Sequence, residues 1–123
     1  MYEYLELGTD EAVILKSEYV VHHNPNKWAT LFLTNKNIIC IKKEGIIKKR
    51  YEVIKYPISQ IKNLNDDIMV GVQKDPFYNF WILRVQMLNG IEEFKFHFNA
   101  TQIKERLKEV ELFKENILKY SKC

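Results

Sequence analysis

Hydrophobic and polar residues alternate over most of the first hundred positions, which is the pattern of half-buried β-strands. The clearest example is the segment in which Phe94, Phe96 and Phe98 alternate with polar residues. Turn-forming residues separate such segments, and Asn89-Gly90 in particular favours a two-residue hairpin turn. These breaks predict seven strands, at Val13–His22, Trp28–Thr34, Ile38–Lys43, Arg50–Tyr56, Ile68–Gln73, Phe80–Met87 and Ile91–Phe98.

After the last of these strands the hydrophobic spacing changes to three and four residues, which predicts an amphipathic helix. Asn99 or Thr101 can cap this helix, and we expect it to run from about residue 100 to about residue 120. Its apolar stripe consists of Ile103, Leu107, Val110, Phe113, Ile117 and Tyr120.

A helix that follows all the strands is not a crossover between parallel strands. Its apolar stripe must then cover the open edge or the mouth of an antiparallel sandwich or barrel. We therefore predict a mainly β fold, a seven-stranded antiparallel barrel or sandwich over about residues 12–98, capped by one C-terminal α-helix.

The chain has 123 residues, 46% hydrophobic and 28% charged, so we expect one globular domain over residues 1–123. The two cysteines, Cys40 and Cys123, make no disulfide framework and indicate a reducing compartment. The longest apolar runs are far shorter than the roughly 20 residues that span a bilayer. Acidic residues near the N-terminus, Glu3 and Glu6, do not fit a signal peptide. We expect a cytoplasmic protein.

The net charge of +3 is too small to indicate nucleic-acid binding by itself. Three of the 19 basic residues are arginines, namely Arg50, Arg84 and Arg106. Arginine supplies the planar fork for bidentate contacts with phosphate and guanine, so this composition argues further against a nucleic-acid partner.

Five segments carry a resemblance to a known family: Glu11–Leu15, Ala29–Thr34, Asn37–Ile41, Tyr56–Ile61, and Phe94–Phe98 leading into the helix. They resemble the pleckstrin-homology superfold, and within it the GRAM and bacterial pleckstrin-homology domains. Such domains often show an acid before the first strand, a Leu-x-Leu-Thr second strand and a Pro-x-x-x-Ile link before the fifth. Ala29 departs from the Gly that many relatives have near the start of the second strand.

The resemblance implies a module for membrane targeting or protein interaction, without catalysis or a metal. Phosphoinositide-binding members carry a pattern of Lys and Arg along the first and second strands. The matching stretch here holds Lys16 and Lys27 and no Arg. Inositol-phosphate specificity is therefore not implied for this chain.

The basic hairpin between Lys42 and Lys55 is the strongest candidate for a binding surface, with Ile46 and Ile47 at its tip. In the resembled fold, the first and third hairpin loops share one end, which would bring His22–Trp28 beside it. A basic rim with apolar tips suits an anionic membrane, where each Lys contributes roughly 1 kcal/mol. The anionic-surface hypothesis names Lys27, Trp28, Lys42, Lys43, Lys48, Lys49 and Arg50. The alternative is a solvated hairpin whose lysines keep a sheet edge from pairing.

The predicted sixth strand is apolar on both sides, because Trp81 lies on one face while Phe80 and Ile82 lie on the other. Leu112 lies on the polar side of the helix. Phe80, Ile82 and Leu112 therefore define a hypothetical self-association surface. The alternative cover for this strand is the N-terminal segment Tyr2–Leu5.

Catalytic and metal-binding patterns are weak. The sequence has no nucleophile-elbow motif, and its four isolated Gly residues make no phosphate-binding loop. A metal site could use His22, His23 and His97. Adjacent residues on a strand point to opposite faces, so His22 and His23 could chelate together only if the chain has already left the strand. We interpret the histidines as solvent-exposed and predict no catalytic residue, metal site or cofactor.

The sequence thus predicts a non-enzymatic binding module of the pleckstrin-homology or GRAM type, which docks to an anionic membrane surface or to protein partners. One alternative is a self-associating interaction domain without lipid binding. Another is a small enzyme or ligand carrier with a barrel pocket, which converging His and acidic side chains in a deep polar pocket would favour. Docking of the basic hairpin would make the protein peripheral to a membrane.

Overall fold

The computed structural model describes residues 5–23, 27–44, 50–64 and 67–121. A 3₁₀ turn spans Ile58–Gln60, and the α-helix, α1, spans Ile103–Ser121. The strands are β1 (Val13–Val21), β2 (Ala29–Thr34), β3 (Asn37–Glu44), β4 (Arg50–Pro57), β5 (Asn63–Leu64), β6 (Asp67–Ile68), β7 (Val70–Lys74), β8 (Phe80–Met87) and β9 (Gly90–His97).

Seven strands form one antiparallel sheet in the order β4-β3-β2-β1-β9-β8-β7, and the short β5 and β6 pair with each other. The sheet is not closed, because β4 and β7 lie at its two ends. Helix α1 packs against β7, β8, β9 and the 3₁₀ turn. The predicted mainly β fold with a C-terminal helix is confirmed. The β5–β6 pair was not predicted, and the following strand begins at Val70 and not at Ile68.

The main core lies between the inner face of the sheet and α1. The alternating phenylalanines of β9 are buried as predicted, and Phe96 meets Phe113 of α1 edge to face, with ring centroids 5.4 Å apart. The helix contributes Val110, Phe113 and Ile117 to this core. Burial of each large apolar side chain contributes about 1.5–3 kcal/mol, so this layer is a major source of stability.

The outer face of the sheet has a smaller apolar cluster, formed by Phe32, Ile39 and Ile41. Leu5 packs against this cluster. Leu5 therefore covers part of β2 and β3, and not β8, the strand for which the segment Tyr2–Leu5 was the alternative cover. Residues 1–4 lie outside the described part of the chain.

Glu11, the acid before β1, stabilises the turn between β2 and β3 through hydrogen bonds. Its carboxylate accepts hydrogen bonds from the Thr34 hydroxyl and from Nδ2 of Asn37 at 2.7 Å, and from the Gly8 amide at 2.8 Å. Burial alone would raise the pKa of Glu11, but these hydrogen bonds outweigh it and hold the pKa below its usual value. The acid in the family-like motif thus has a structural role here.

A β-bulge interrupts β1, because Ser17 and Val20 face Leu31 and Ala29, two positions apart on β2. Tyr19 in the bulge has φ 57°, a left-handed conformation that is uncommon outside Gly. In the described residues, β1 pairs with β9 at Val20↔Phe96 and Val21↔Lys95. The two strands diverge beside the bulge.

Arg106 of α1 fills the opening between the diverging strands and is buried. Its guanidinium donates to the carbonyl oxygens of His97 at 2.7 Å and Glu18 at 2.8 Å. It also contacts Glu109 at 2.6 Å and lies over the Phe96 ring. The predicted apolar stripe is therefore wrong in its first turn, where Ile103 is 41% exposed and Arg106 faces the sheet. Backbone carbonyls that lack strand partners need a donor there, and an apolar side chain cannot supply one.

Candidate functional site

Within the described residues, four of the predicted anionic-surface residues lie at one end of the sheet, namely Lys27, Trp28, Lys43 and Arg50. Ala29 is paired with Lys42, and Glu44 with Arg50, so the loops that follow β1 and β3 lie at the same end. Trp28 is 51% exposed, Lys43 and Arg50 are exposed, and Lys27 is half-buried. Lys48 and Lys49, with the predicted tip residues Ile46 and Ile47, lie outside the described residues.

Lys42 does not belong to this surface, because it is buried with 4% of its area exposed. It follows the buried Ile38 and Cys40 at intervals of two along β3, so it occupies the inner face of the sheet. Lys42 stands among charged neighbours in the sequence, but one more step of the β3 alternation places it on the inner face. We remove Lys42 from the anionic-surface hypothesis.

The three residues of the self-association hypothesis differ in exposure. Ile82 is buried within the single chain, with 4% of its area exposed, so it cannot contribute a contact surface. Phe80 is half-buried and meets the His97 ring edge to face at 5.5 Å. Leu112 is 46% exposed on α1. Ile82 is therefore removed from the self-association hypothesis, whereas Phe80 and Leu112 keep accessible surface.

Aromatic rings line a groove beside the β1 bulge, and we call it the aromatic groove. It encloses about 740 Å³, and its lining includes Tyr19, Trp28, His97, Arg106 and Glu109. Trp28 meets Tyr19 edge to face at 5.7 Å and His97 at 5.5 Å. Tyr19, the left-handed residue of the bulge, is 61% exposed. The groove thus offers exposed rings above a buried guanidinium.

His97 is half-buried in this aromatic contact, and His22 is completely buried. The prediction of solvent-exposed histidines is therefore wrong for both residues. His23 fits it, with 60% of its side chain exposed. Sequence reasoning missed His22 because the turn cluster that follows it suggested the surface.

Four side chains converge on the inner side of the sheet beside the end of β1. We call them the polar cluster: His22, His23, Tyr56 and Glu92. Oε1 of Glu92 lies 2.9 Å from Nε2 of His22, 2.9 Å from Nε2 of His23 and 3.0 Å from the Tyr56 hydroxyl. The Tyr56 hydroxyl also lies 3.0 Å from Nε2 of His22. Oε1 of Glu92 is therefore within hydrogen-bond distance of three polar groups, two from the residues that follow β1 and one from β4.

The two histidine rings approach the same oxygen because the chain has left the strand. β1 ends at Val21, and His23 has φ 66°. The rings of His22 and His23 stack with centroids 3.8 Å apart, and His22 also stacks on Phe94 at 4.7 Å. This meets the condition under which adjacent histidines can act together.

Burial and hydrogen bonding set the charges in the polar cluster. Burial lowers the pKa of His22, against the opposing effect of the Glu92 carboxylate, so the ring is neutral at pH 7. Burial would raise the pKa of Glu92, but hydrogen bonds from His22 and Tyr56 outweigh it and lower the pKa. Burial and the Glu92 carboxylate raise the pKa of the Tyr56 hydroxyl, which stays protonated. Among the described residues, none hydrogen-bonds Nδ1 of His22.

The ligand atoms of His22, His23 and Glu92 all lie within 4.8 Å of one another, close enough to hold one metal ion. A simple signal could have found the cluster in the sequence. Continuing the two-residue period from Val20 reaches His22, and continuing it back from Phe94 reaches Glu92. Both positions are on the inner face near the end of a strand, so polar side chains can meet there.

Neither models of known protein families nor curated protein sequences match this chain. Within the described residues, no helix has the length and apolar character needed to cross a membrane.

Proposed function

We propose that the protein is a non-enzymatic binding module of the pleckstrin-homology type, and that it docks to an anionic membrane surface through the loop end of its sheet. The observation that supports this most is that Trp28, Lys43 and Arg50 are all exposed and lie at the same end of the sheet. Tryptophan and tyrosine rings are favoured at the boundary between lipid and water, and nearby cations are attracted to anionic head groups.

The contribution of the rings to docking must be large, because the charges at this end are mixed. Glu18 lies 3.5 Å from Lys16, and both residues line the aromatic groove. Trp28 and Tyr19 touch each other and together expose a continuous aromatic surface. Insertion of these rings would supply the apolar part of binding, and the surrounding cations would supply its dependence on lipid charge.

The experiment is co-sedimentation with vesicles of phosphatidylcholine alone or of phosphatidylcholine mixed with phosphatidylserine. The wild type should sediment with the mixed vesicles, and added salt should release it, since screening shortens electrostatic attraction to about 8–10 Å. Trp28→Ala should weaken binding at all salt concentrations. The double variant Lys43→Glu, Arg50→Glu should abolish the preference for the anionic vesicles.

Two matched controls lie on α1. Leu112→Ala removes an apolar side chain of similar exposure to Trp28, and Lys104→Glu with Lys108→Glu reverses two exposed cations that the proposed docking surface does not include. Both controls should bind as the wild type does. Equal binding by wild type and the Lys43→Glu, Arg50→Glu variant, or no binding by the wild type, would overturn membrane docking.

The second candidate is docking of a protein segment in the aromatic groove. The concave shape of the groove favours this candidate. The Tyr, Trp and Arg side chains that line the groove also favour it, because these residue types dominate the energetics of protein interfaces. A wild type that ignores vesicles, and that loses a purified protein partner on Tyr19→Ala but not on Leu112→Ala, would favour this candidate.

A further inference from the structure

We propose that His22, His23 and Glu92 form a binding site for a divalent transition metal ion of the Zn²⁺ class, with the Tyr56 hydroxyl beside its open position. This inference is independent of the proposed membrane docking. It rests on the geometry of the polar cluster and on the backbone that creates it.

The three donor atoms are those that zinc prefers. Two imidazole nitrogens and one carboxylate oxygen form the protein part of many zinc sites, with bonds of about 2.0–2.2 Å. Ligand atoms at such distances in a tetrahedron lie roughly 3.3 Å apart. Both Nε2 atoms lie 2.9 Å from Oε1 of Glu92, so shifts of a few tenths of an ångström would open the space that an ion needs.

The backbone at His23 supports a functional role for this arrangement. Adjacent residues in an extended strand direct their side chains to opposite faces, whereas φ 66° at His23 directs both rings to one oxygen. A left-handed conformation at a residue other than Gly costs free energy and persists where the surroundings enforce it. The stacking of His22 between His23 and Phe94 provides such surroundings.

The local charge also suits a cation. Lys42 is close enough to His22 and Cys40 to influence the pKa values of both, and the Glu52 carboxylate opposes it across the β3–β4 ladder. The Glu92 carboxylate is itself one of the ligands, so it would bring a negative charge into direct contact with the ion. The exposed edge of the His23 ring gives it a route from solvent.

Tyr56 completes the surroundings of the proposed ion. Its hydroxyl lies 3.0 Å from both His22 Nε2 and Glu92 Oε1, on the boundary of the space between the ligands. A three-ligand zinc site keeps its fourth position for water or another small ligand. The hydroxyl is placed to hydrogen-bond a molecule in that position.

The test uses untagged, chelator-treated protein in a Cys123→Ser background. This substitution removes a thiol that could bind Zn²⁺ outside the proposed site. We expect one equivalent of Zn²⁺ to bind in competition with a chromophoric chelator. We also expect Co²⁺ to give the visible absorption of a four- or five-coordinate site. Zn²⁺ should raise the melting temperature, because an ion that binds the folded state alone stabilises it.

His23→Asn is the informative variant, because Asn tolerates the left-handed backbone while removing the ligand. It should weaken Zn²⁺ binding by more than about tenfold and remove the melting-temperature shift. Glu92→Gln should do the same, and it tests the site without changing the His23 backbone. His97→Asn is the matched control, since it removes a histidine outside the polar cluster, and it should bind Zn²⁺ as the wild type does.

Three outcomes would overturn the proposal. They are the absence of stoichiometric Zn²⁺ binding by the wild type, full affinity in both His23→Asn and Glu92→Gln, and an equal loss of affinity in His97→Asn.

Discussion

Nη1 of Arg106 donates a hydrogen bond to the hydroxyl oxygen of Ser17 over 2.8 Å, and so joins the helix to the first strand. The same guanidinium serves carbonyl oxygens of β1 and β9 at the point where those strands diverge. A helix side chain thus replaces hydrogen bonds that a continuous sheet would make between backbone groups.

Arg106→Leu should destabilise the fold by about 3–5 kcal/mol, because it leaves buried carbonyl groups without donors. Arg106→Lys should recover only part of this loss, since a single ammonium group cannot reproduce the planar fork. Urea denaturation midpoints would measure both effects. Arg84→Leu, at an exposed position on β8, is the control and should change stability by less than about 0.5 kcal/mol. Equal midpoints for Arg106→Leu and Arg84→Leu would contradict the role of Arg106.

Glu11→Gln should destabilise the protein at neutral pH and change its response to acid. The pKa of Glu11 is lowered in the folded state, so its ionised form stabilises the fold above about pH 4.5. That contribution is lost as the pH falls through the lowered pKa of the folded state. The difference in stability between wild type and Glu11→Gln should therefore shrink in acid.

Denaturant titrations at a series of pH values would follow this difference, with Glu115→Gln on the exposed face of α1 as the control. A gap between wild type and Glu11→Gln that stays constant down to about pH 3 would show that the carboxylate charge is not the cause.

Phe113→Ala should cost about 3–5 kcal/mol, because it opens a cavity against Phe96 in the main core. Leu112→Ala changes the neighbouring, 46% exposed residue and should cost less than about 1 kcal/mol. Thermal unfolding of both variants would compare them in the same helix. A similar loss in the two variants would mean that α1 does not dock on the sheet through this face.

Cys40 should resist thiol reagents while the protein is folded. Its side chain is completely buried, and burial raises the pKa of the thiol to about 12, so almost no reactive thiolate exists near pH 8. In a Cys123→Ser background, labelling with a disulfide-exchange reagent should be slow in buffer and rapid in guanidinium chloride. Labelling in buffer that is faster than global unfolding would contradict the burial of Cys40.

The elements with a clear period could be predicted from the sequence. β8 has the predicted bounds of Phe80–Met87, and the phenylalanines of β9 face the core as their alternation indicates. These segments bury one face against a large apolar surface, so the periodicity alone determines their orientation. The two-residue strands β5 and β6 are too short to show any period.

The candidate site was less predictable, because its side chains come from separate strands. Tyr56 is 34 residues from His22 and 36 residues from Glu92 along the chain. The pairing of the strands brings the three side chains together. Lys42 and Arg106 were missed for a different reason. Both are charged, and charged residues are expected at the surface, whereas these two occupy inward positions near polar partners.

The short ladder between β1 and β9 has a consequence for how the domain assembles. The β1–β4 half and the β7–β9 half can each form from neighbouring hairpins, whose contacts are local in sequence. The junction between the halves depends on Arg106, which reaches back 88 residues to the Glu18 carbonyl. During synthesis the first half can therefore fold early, but the part of the β1 edge that β9 does not pair keeps unsatisfied carbonyl groups until the helix emerges from the ribosome. That edge is the place where a stalled or truncated chain would pair with another chain and aggregate.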